Sequence, residues 1–386
     1  MSAAMRSYVD RGEVAGLVIL LCRGDEVHVE AIGVQDLKTV VPVQRDTIFR
    51  VASLSKPIAA VAGLILVEEG KISLDDPVDR WLPELASQRV LRSVESELDD
   101  TVPANRAITL RDLLTFTLGF GFVLAPPGRY PIQKAIAEAG LAPGPRPPAP
   151  YPDEWISKFA SLPLVYQPGE RWMYHTGSEV LSVLIARVAG VGLGDFLHER
   201  IFSPLGMKDT AFSVPEEKID RLATSYLPDA NGLKLYDEAR NGMWSVPPAF
   251  SSGGGGLVST ADDYLAFARM LLNGGIQGTT RILGAQTVTE MLTDQVTAEQ
   301  KSVSPFFPNF WETRGWGYGI SVVTAPEALA DRTGTFGWDG GLGTSCYSDP
   351  KRDLTGILMT QTAWAAPLPP KVNVDFWKAV YQAVDA

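Results

Sequence analysis

Two short stretches of the sequence place a serine three residues before a lysine, a spacing that suits nucleophilic catalysis. One is Ser53-Leu54-Ser55-Lys56 and the other is Ser348-Asp349-Pro350-Lys351. On a helix, residues three apart share a face, so a lysine with a lowered pKa can accept the proton of the serine. Because so short a pattern also arises by chance, the predicted surroundings must decide between the two.

The surroundings favour the first pair. Residues 53–69 are nearly all apolar after the first turn and are followed by Gly70, which predicts a buried helix with a glycine stop. Ser53 then lies at the positive end of the helix dipole, and a poorly hydrated interior lowers the pKa of Lys56 towards neutrality. The alternative is a solvent-facing lysine in a first turn. Asp349-Pro350 is typical of a turn, so the second pair need not meet.

Other catalytic patterns are missing from the sequence. It has three histidines, His28, His175 and His198, and it contains neither a Gly-x-Ser-x-Gly elbow nor a His-Glu-x-x-His motif. We interpret His28 and His198 as structural, and we leave the role of His175 open because it follows Tyr174. The sequence therefore predicts no catalytic metal and no cofactor.

Charge and composition narrow the class of partner. The net charge is −11, and an acidic surface repels phosphate backbones and anionic membranes, so we expect neither nucleic acid nor membrane as a partner. The first residues lack the apolar segment of a secretory signal, and no apolar run reaches the ~20 residues of a membrane span. The two cysteines do not indicate a disulfide scaffold. These features predict a cytoplasmic protein that acts on a small molecule.

Periodicity predicts strands near both ends of the chain and helices in its middle. The predicted strands are residues 16–22, 27–33, 317–323, 343–347 and 354–361, and the predicted helices include 108–114, 132–139, 178–188, 260–272 and a C-terminal one. We predict a sheet-and-helix domain from residues 1–73 and 208–386, and a mainly helical domain from 74–207. The proline-rich segment 125–152 is expected to be a surface loop, either a connector or a lid over the active site.

The stretch around Ser53 resembles a known family. Residues 48–57 (IFRVASLSKP) are similar to the first motif of the serine β-lactamase and penicillin-binding-protein superfamily, especially class C β-lactamases and family VIII carboxylesterases. Similar stretches follow in the expected order over almost the whole chain, at 74–78, 109–115, 204–207 and 253–260. The resemblance implies an α+β fold with a mainly antiparallel sheet flanked by helices, an all-helical region, and the site in the cleft between them.

The second motif of that superfamily, Tyr-x-Asn, is matched by Tyr174-His175-Thr176. The resemblance implies that Tyr174 shuttles the proton of the serine and that His175 and Thr176 contact the substrate. Thr176 replaces the asparagine with which lactamases hold an amide of the substrate. This departure argues against lactamase activity.

The third motif, usually Lys-Thr-Gly or His-x-Gly, is matched by Trp338-Asp339-Gly340. A lysine here would bind a substrate carboxylate, whereas tryptophan offers an apolar wall and one N–H donor. The resemblance implies that Trp338, Asp339 and Gly340 bind the substrate. It also implies an oxyanion hole made by the backbone N–H groups of Ser53 and Gly341.

The predicted activity is hydrolysis of a carboxylic ester through an acyl-enzyme on Ser53, with Lys56 and Tyr174 as a coupled base and acid. A β-lactamase, a D-amino-acid amidase or peptidase, and an acyltransferase are alternatives on the same site. Alternatives of other classes are a catalytically dead homologue that binds a ligand or partner, and a hydrolase that works at acid pH or depends on a metal. The apolar side chains of residues 116–122 are expected either in the core or in the pocket wall.

Overall fold

A computed structural model describes residues 1–327, 330–366 and 368–385. The helices are α1 (Ser2–Asp10), α2 (Ser55–Glu68), α3 (Leu110–Thr115), α4 (Pro131–Glu138), α5 (Pro152–Ala160), α6 (Thr176–Ala189), α7 (Leu193–Leu197), α8 (Ser203–Leu205), α9 (Ala261–Leu272), α10 (Ala285–Met291), α11 (Ala298–Ser302), α12 (Phe310–Thr313) and α13 (Lys371–Val384). Short 3-10 helices occur at Ala52–Leu54, Val78–Arg80, Pro83–Leu85 and Glu216–Arg221, and a π-helix at His198–Phe202. The strands are β1 (Gly16–Arg23), β2 (Glu26–Gly33), β3 (Phe49–Arg50), β4 (Arg89–Leu91), β5 (Thr101–Pro103), β6 (Ser225–Asp229), β7 (Gly232–Asp237), β8 (Val258–Ser259), β9 (Ile276–Gln277), β10 (Thr280–Arg281), β11 (Arg314–Trp316), β12 (Ser321–Val323), β13 (Phe336–Gly340), β14 (Thr344–Asp349) and β15 (Leu354–Thr360).

A seven-stranded antiparallel sheet brings the two ends of the chain together. Its strand order is β11-β12-β13-β14-β15-β1-β2, so β1 lies between β15 and β2. In this register Leu17 of β1 is opposite Thr360 of β15 on one side and Ile32 of β2 on the other. The sheet, together with the helices on it, confirms the predicted α+β class.

Both faces of the sheet are covered by helices, and β1 shows how its sequence allows this. Alternate side chains of a strand point to opposite faces. Leu17 and Ile19 pack in a cluster with Phe376 of α13, whereas Val18 and Leu20 belong to the larger core that contains α2. Because both sets are apolar, β1 can be buried on both sides.

The most apolar helix of the protein is α2, in which every residue from Ser55 to Leu66 is buried. It packs against α6, where a Cβ placed on Gly63 would lie 3.4 Å from Leu181 Cδ1. The predicted helix is therefore confirmed, but its predicted start at Ser53 is wrong. Ser53 lies in the 3-10 turn before α2, and the preceding Ala52 has φ 45°, a left-handed conformation that is strained for alanine.

Most of the secondary structure in the middle of the chain is helical. Between residues 74 and 207 the structure has α3 to α8 and the short pair of β4 and β5. Thr109 caps α3, with its hydroxyl accepting from the Asp112 N–H, and the proline-rich segment 125–152 contains only α4 and the first residue of α5. The helices α2 and α6, which lie in different proposed domains, pack together. The division into two domains remains a prediction.

The predicted strand at residues 317–323 is only half correct. The structure has β12 at Ser321–Val323, while residues 317–320 turn the chain back from β11. The Gly317 N–H donates to the Ile320 carbonyl at 2.8 Å, and Gly319 has φ 69°. Glycine adopts this left-handed conformation without strain, so the two glycines form a hairpin turn where the apolar pattern suggested a strand.

Within the ranges that the structure describes, no single helix is both long and apolar enough to cross a membrane. Two consecutive helical stretches are long and apolar enough only when taken together, and the chain bends by 79° between them. These stretches are Thr176–Ala189 and Leu193–Leu205.

Candidate active site

Ser53 and Lys56 meet as the sequence predicts. Lys56 Nζ lies 2.9 Å from Ser53 Oγ, and the lysine is completely buried beneath the partly exposed serine. Burial lowers the pKa of Lys56 to about 7, although the negative charge of Glu179 acts in the opposite direction. A substantial fraction of this amine is therefore neutral near physiological pH and can accept a proton.

Three further groups surround the Lys56 amine. It donates to the carbonyl oxygen of Gly254 at 2.5 Å, lies 3.3 Å from His175 Nδ1, and sits 4.6 Å from the centre of the Tyr174 ring. A Cβ on Gly254 would collide with the carboxylate of Glu179. The absence of a side chain at Gly254 therefore leaves room for the Glu179 carboxylate next to this carbonyl.

Tyr174 lies on the other side of the nucleophile. Its hydroxyl oxygen accepts a hydrogen bond of 2.6 Å from Trp338 Nε1. Burial raises the pKa of Tyr174 well above its ordinary value, and the hydrogen bonds with Ser53 and Trp338 oppose that shift. Tyr174 is therefore a neutral phenol at physiological pH, a group suited to delivering a proton.

The end of β13 is held against the turn that carries Ser53. Thr344 Oγ1 donates to the Val51 carbonyl at 3.0 Å, and a Cβ on Gly340 would collide with both of these groups. A Cβ on Gly341 would meet nothing within 4 Å, since this residue faces an open cavity. Gly341 and Ser53 thus line the same cavity, as expected of two residues that share an oxyanion hole.

A cavity of about 230 Å³ opens in front of Ser53. Its wall is mainly aromatic and proline, and it includes residues 143–145 of the proline-rich segment, so this segment forms part of the site. Among the described residues that line it there is no lysine or arginine. The lining residues are Ser53, Phe122, Pro143, Gly144, Pro145, Tyr174, His175, Phe306, Phe307, Trp338, Asp339, Gly341 and Trp364.

Three residues predicted to bind substrate lie differently from the expectation. Thr176, the first residue of α6, is buried outside the cavity wall, and Gly340 backs onto Val51. Asp339 reaches the wall, but its carboxylate accepts from Ser345 Oγ at 2.5 Å and Tyr347 OH at 2.8 Å. Alternation along β13 explains the direction of the Asp339 carboxylate. Trp338 faces Tyr174, so the next residue, Asp339, faces the other side of the sheet. The side chain of Thr176 therefore lies away from the cavity, whereas Asp339 lines the cavity with its carboxylate bonded to Ser345 and Tyr347.

Sequence reasoning missed several residues of the site. Phe306, Phe307 and Trp364 line the cavity from segments distant in sequence, and only the adjacent phenylalanines offered a signal. Glu179 was also missed, although it lies one turn after His175 in a helix that is otherwise largely apolar. In the stretch 116–122, Phe122 lines the cavity, whereas Phe116, Leu118 and Phe120 are core residues.

Comparison with known proteins identifies the family of this chain. The model of the beta-lactamase family matches residues 1–370. The chain belongs to the beta-lactamase family. Protein Rv1367c of Mycobacterium tuberculosis is 38% identical over 384 residues, covering 98% of this chain and 92% of its own. Esterase EstB of Burkholderia gladioli is 30% identical over 379 residues, covering 92% and 88%.

A solved structure has a similar fold over almost the whole chain. It is EstCE1, "a hydrolase with promiscuous acyltransferase activity", with a TM-score of 0.80, 26% identity, and coverage of 98% of this chain and 97% of that one. The family match, together with the similarity to an esterase and to a hydrolase, indicates a serine hydrolase-type enzyme. In the part of the chain that the structure describes, no group of three His, Cys, Asp or Glu side chains could hold a metal ion.

Proposed function

We propose that this protein is a serine esterase that cleaves neutral, apolar carboxylic esters through an acyl-enzyme on Ser53. The observation that carries the proposal is the contact of 2.9 Å between Ser53 Oγ and the buried amine of Lys56, at the base of a mainly aromatic cavity. Three groups lie close together here: the partly exposed hydroxyl of Ser53, the Lys56 amine with a pKa near 7, and the neutral phenol of Tyr174. This set of groups can perform acyl transfer without a cofactor.

In the acylation step, Ser53 Oγ attacks the carbonyl carbon of the ester and its proton passes to the base. The new C–O bond converts the carbonyl oxygen to an oxyanion, which the N–H groups of Ser53 and Gly341 stabilise. Collapse of this intermediate breaks the bond to the alcohol oxygen. The leaving alkoxide takes a proton from Tyr174, which regains one from the Lys56 ammonium, so the alcohol departs and both groups return to their starting states.

In the deacylation step, water is the nucleophile and Ser53 is the leaving group. The base removes a proton from water as its oxygen attacks the acyl carbon. The bond to Ser53 Oγ then breaks, and the serine recovers a proton from the same pair of groups. The products are a carboxylic acid and regenerated enzyme.

The cavity supports esters over β-lactams. Penicillins and cephalosporins carry a carboxylate, and the described wall supplies no cation to pair with it. Trp338 stands where a lysine would be expected, and its N–H donor is already used by Tyr174. The net charge of −11 further disfavours anionic partners, nucleic acids and anionic membranes included.

A covalent probe tests the proposal. The wild type, Ser53→Ala and Ser348→Ala would be treated with a fluorophosphonate and measured by intact mass, followed by turnover of p-nitrophenyl butyrate and nitrocefin. We expect labelling and ester turnover in the wild type and in Ser348→Ala, neither in Ser53→Ala, and little hydrolysis of nitrocefin. Ser348 is the matched control because it precedes the second Ser-x-x-Lys lysine but bonds Thr355 Oγ1 at 2.9 Å. Equal labelling of Ser53→Ala would refute the assigned nucleophile.

Acyl transfer to an alcohol is a second candidate activity. The mainly apolar wall disfavours water relative to an apolar acceptor at the acyl-enzyme, and EstCE1 is described as a hydrolase with acyltransferase activity. We expect added alcohols to divert part of the acyl group from acid to ester. Product analysis by mass spectrometry at increasing alcohol concentration measures that partition.

A further inference from the structure

A line of buried polar groups runs away from the nucleophile behind Lys56. His175 Nδ1 lies 3.3 Å from Lys56 Nζ, and His175 Nε2 lies 3.2 Å from Glu179 Oε1. The same carboxylate oxygen accepts from Ser252 Oγ at 2.7 Å. His175, Glu179 and Ser252 are all buried, so solvent does not compete for these contacts.

The arrangement fixes which ring nitrogen of His175 carries the proton. A carboxylate only accepts hydrogen bonds, so Nε2 must donate to Glu179. Burial and the nearby Lys56 amine lower the pKa of His175, which favours the neutral ring. A neutral ring that is protonated on Nε2 has a bare Nδ1, and this atom accepts from Lys56.

With Nδ1 of His175 as an acceptor, the two N–H donors and the lone pair of a neutral Lys56 can be assigned to its partners in one way. A neutral amine has two N–H donors and one lone pair, and among the described residues Lys56 has three polar partners. The Gly254 carbonyl and the bare His175 Nδ1 only accept, so they take both donors. Tyr174 presents its ring face to the amine. The lone pair is left for the third partner, the hydroxyl of Ser53 at 2.9 Å.

The backbone of His175 supports a role beyond packing. Its φ of 89° and ψ of −62° form a strained conformation that non-glycine residues rarely adopt. The imidazole lies between Lys56 and Glu179, and its contacts with both hold the residue in this conformation. Such strain persists only where surrounding contacts enforce it, and it concentrates at functional sites.

We propose that His175 and Glu179 are positioning residues that direct the lone pair of Lys56 at the Ser53 hydroxyl. The inference rests on the proposed esterase function and deepens it, because it makes Lys56 the base of the acylation step and leaves Tyr174 as the acid. Neither positioning residue forms a covalent bond with the substrate; both act through Lys56. Their contribution lies in the orientation of the amine.

The tautomer of His175 provides a test that does not depend on activity. With only three histidines in the chain, ring-nitrogen chemical shifts of histidine-labelled protein can be assigned with His28→Gln and His198→Gln variants. Between pH 7 and 8 we expect a neutral His175 with a protonated Nε2 and a bare Nδ1. In Glu179→Gln, we expect part of the signal to move to the other tautomer. A protonated Nδ1 in the wild type would overturn the inference, because that nitrogen could not accept from Lys56.

The rate of covalent labelling provides a second test. His175→Asn keeps an acceptor near the position of Nδ1, whereas His175→Ala removes the acceptor. At pH 8 we expect fluorophosphonate labelling of His175→Ala to be about 10 to 100 times slower than that of wild type, as for loss of part of a general base. His175→Asn should label within about threefold of wild type.

The endpoint of labelling separates positioning from folding. Loss of orientation slows labelling but leaves the final labelled fraction complete, whereas misfolding lowers that fraction. Equal rates for His175→Ala and wild type would overturn the positioning role while leaving Ser53 as nucleophile. Absence of labelling in the wild type would instead remove the proposed function, and the tautomer measurement would still report on the His175–Glu179 pair.

Discussion

Trp338 Nε1 donates a hydrogen bond of 2.6 Å to the hydroxyl oxygen of Tyr174. The contact joins β13 to the segment before α6, and their rings pack with centres 5.6 Å apart. Because the tyrosine oxygen accepts from the indole, its own O–H remains free to donate towards Ser53 or a leaving group. A tryptophan at this position therefore orients the acid of the proposed reaction in addition to forming an apolar wall.

Removal of this donor should slow the reaction while the aromatic wall is kept. In Trp338→Phe the Tyr174 hydroxyl loses a partner that lowers its pKa, so the phenol becomes a weaker acid. We expect kcat for p-nitrophenyl butyrate to fall about fivefold, as for one neutral hydrogen bond of about 1 kcal/mol, with KM nearly unchanged. Steady-state kinetics of the purified variant provide the measurement.

Trp316→Phe is the matched control for this substitution. Trp316 is buried edge-on against Trp338 at 4.8 Å, and its own Nε1 has no hydrogen-bond partner among the described residues. Its replacement should leave kcat within about twofold, since no donor to the site is lost. Equal losses in the two variants would show that packing, and not the bond to Tyr174, sets the rate.

The pH dependence of the reaction should follow Lys56. Because the base must be neutral, kcat/KM should rise with pH through a midpoint near 7, the pKa to which burial lowers Lys56, and fall about tenfold per pH unit below it. Lys56→Ala should lower kcat/KM about 10³-fold and remove this limb. A wild-type profile that is flat between pH 5.5 and 8.5 would contradict the role of Lys56 as base.

The elements that carry the chemistry could be predicted from sequence because local rules govern them. The burial of Lys56 follows from the apolar composition of α2, and the cap at Thr109 follows from its hydroxyl and Asp112. The strands β1, β2, β14 and β15 follow from alternation and apolar runs. Each of these features depends on residues that are close in sequence.

Features that depend on distant residues could not be predicted in the same way. Nothing near Phe306 indicates that it faces Trp338, since the two meet only when the segment after α11 folds over the sheet. The direction of the Asp339 carboxylate depends on the pleat of β13, and motif matching does not record it. The strained backbone of His175 likewise has no local signal, because surrounding contacts impose it.

A buried ion pair should hold the segment that carries the nucleophile. Arg50, three residues before Ser53, bonds Asp237 of β7 through both Nε, at 2.9 Å, and Nη2. Both side chains are at least 95% buried. Asp237→Asn leaves the arginine charge without its partner, so we expect the free energy of unfolding to fall by about 3 kcal/mol or more. Urea titration of the variant measures it.

Asp220→Asn serves as the control for the buried pair. Asp220 bonds Arg240 at 2.7 Å, but its side chain is 83% exposed. An exposed pair contributes about 0–1 kcal/mol, so this variant should unfold almost as the wild type does. Similar midpoints for both variants would argue against a structural role for the Arg50–Asp237 pair.

Lys56 itself should destabilise the fold. Burial lowers its pKa from 10.5 to about 7, so the unfolded chain binds this proton more tightly than the folded one. The resulting cost is full below pH 7, at about 5 kcal/mol from ~1.4 kcal/mol per pKa unit, and it declines as pH rises towards 10.5. Lys56→Met keeps the volume, removes the charge and loses the amine's hydrogen bonds, so we expect a net gain of about 1–3 kcal/mol at pH 6.

Urea unfolding at pH 6 and pH 9 tests the direction of this effect. The stability advantage of Lys56→Met over wild type should be larger at pH 6, because folding then carries the full cost of burying the ammonium. Lys158→Met is the control, since Lys158 on α5 is 41% exposed at its side chain and pairs with Glu154 on the surface of the same helix. Its effect should be small and equal at both pH values. A Lys56→Met variant less stable than wild type at pH 6 would mean that the hydrogen bonds of the ammonium outweigh its burial, and the amine would then remain charged at neutral pH.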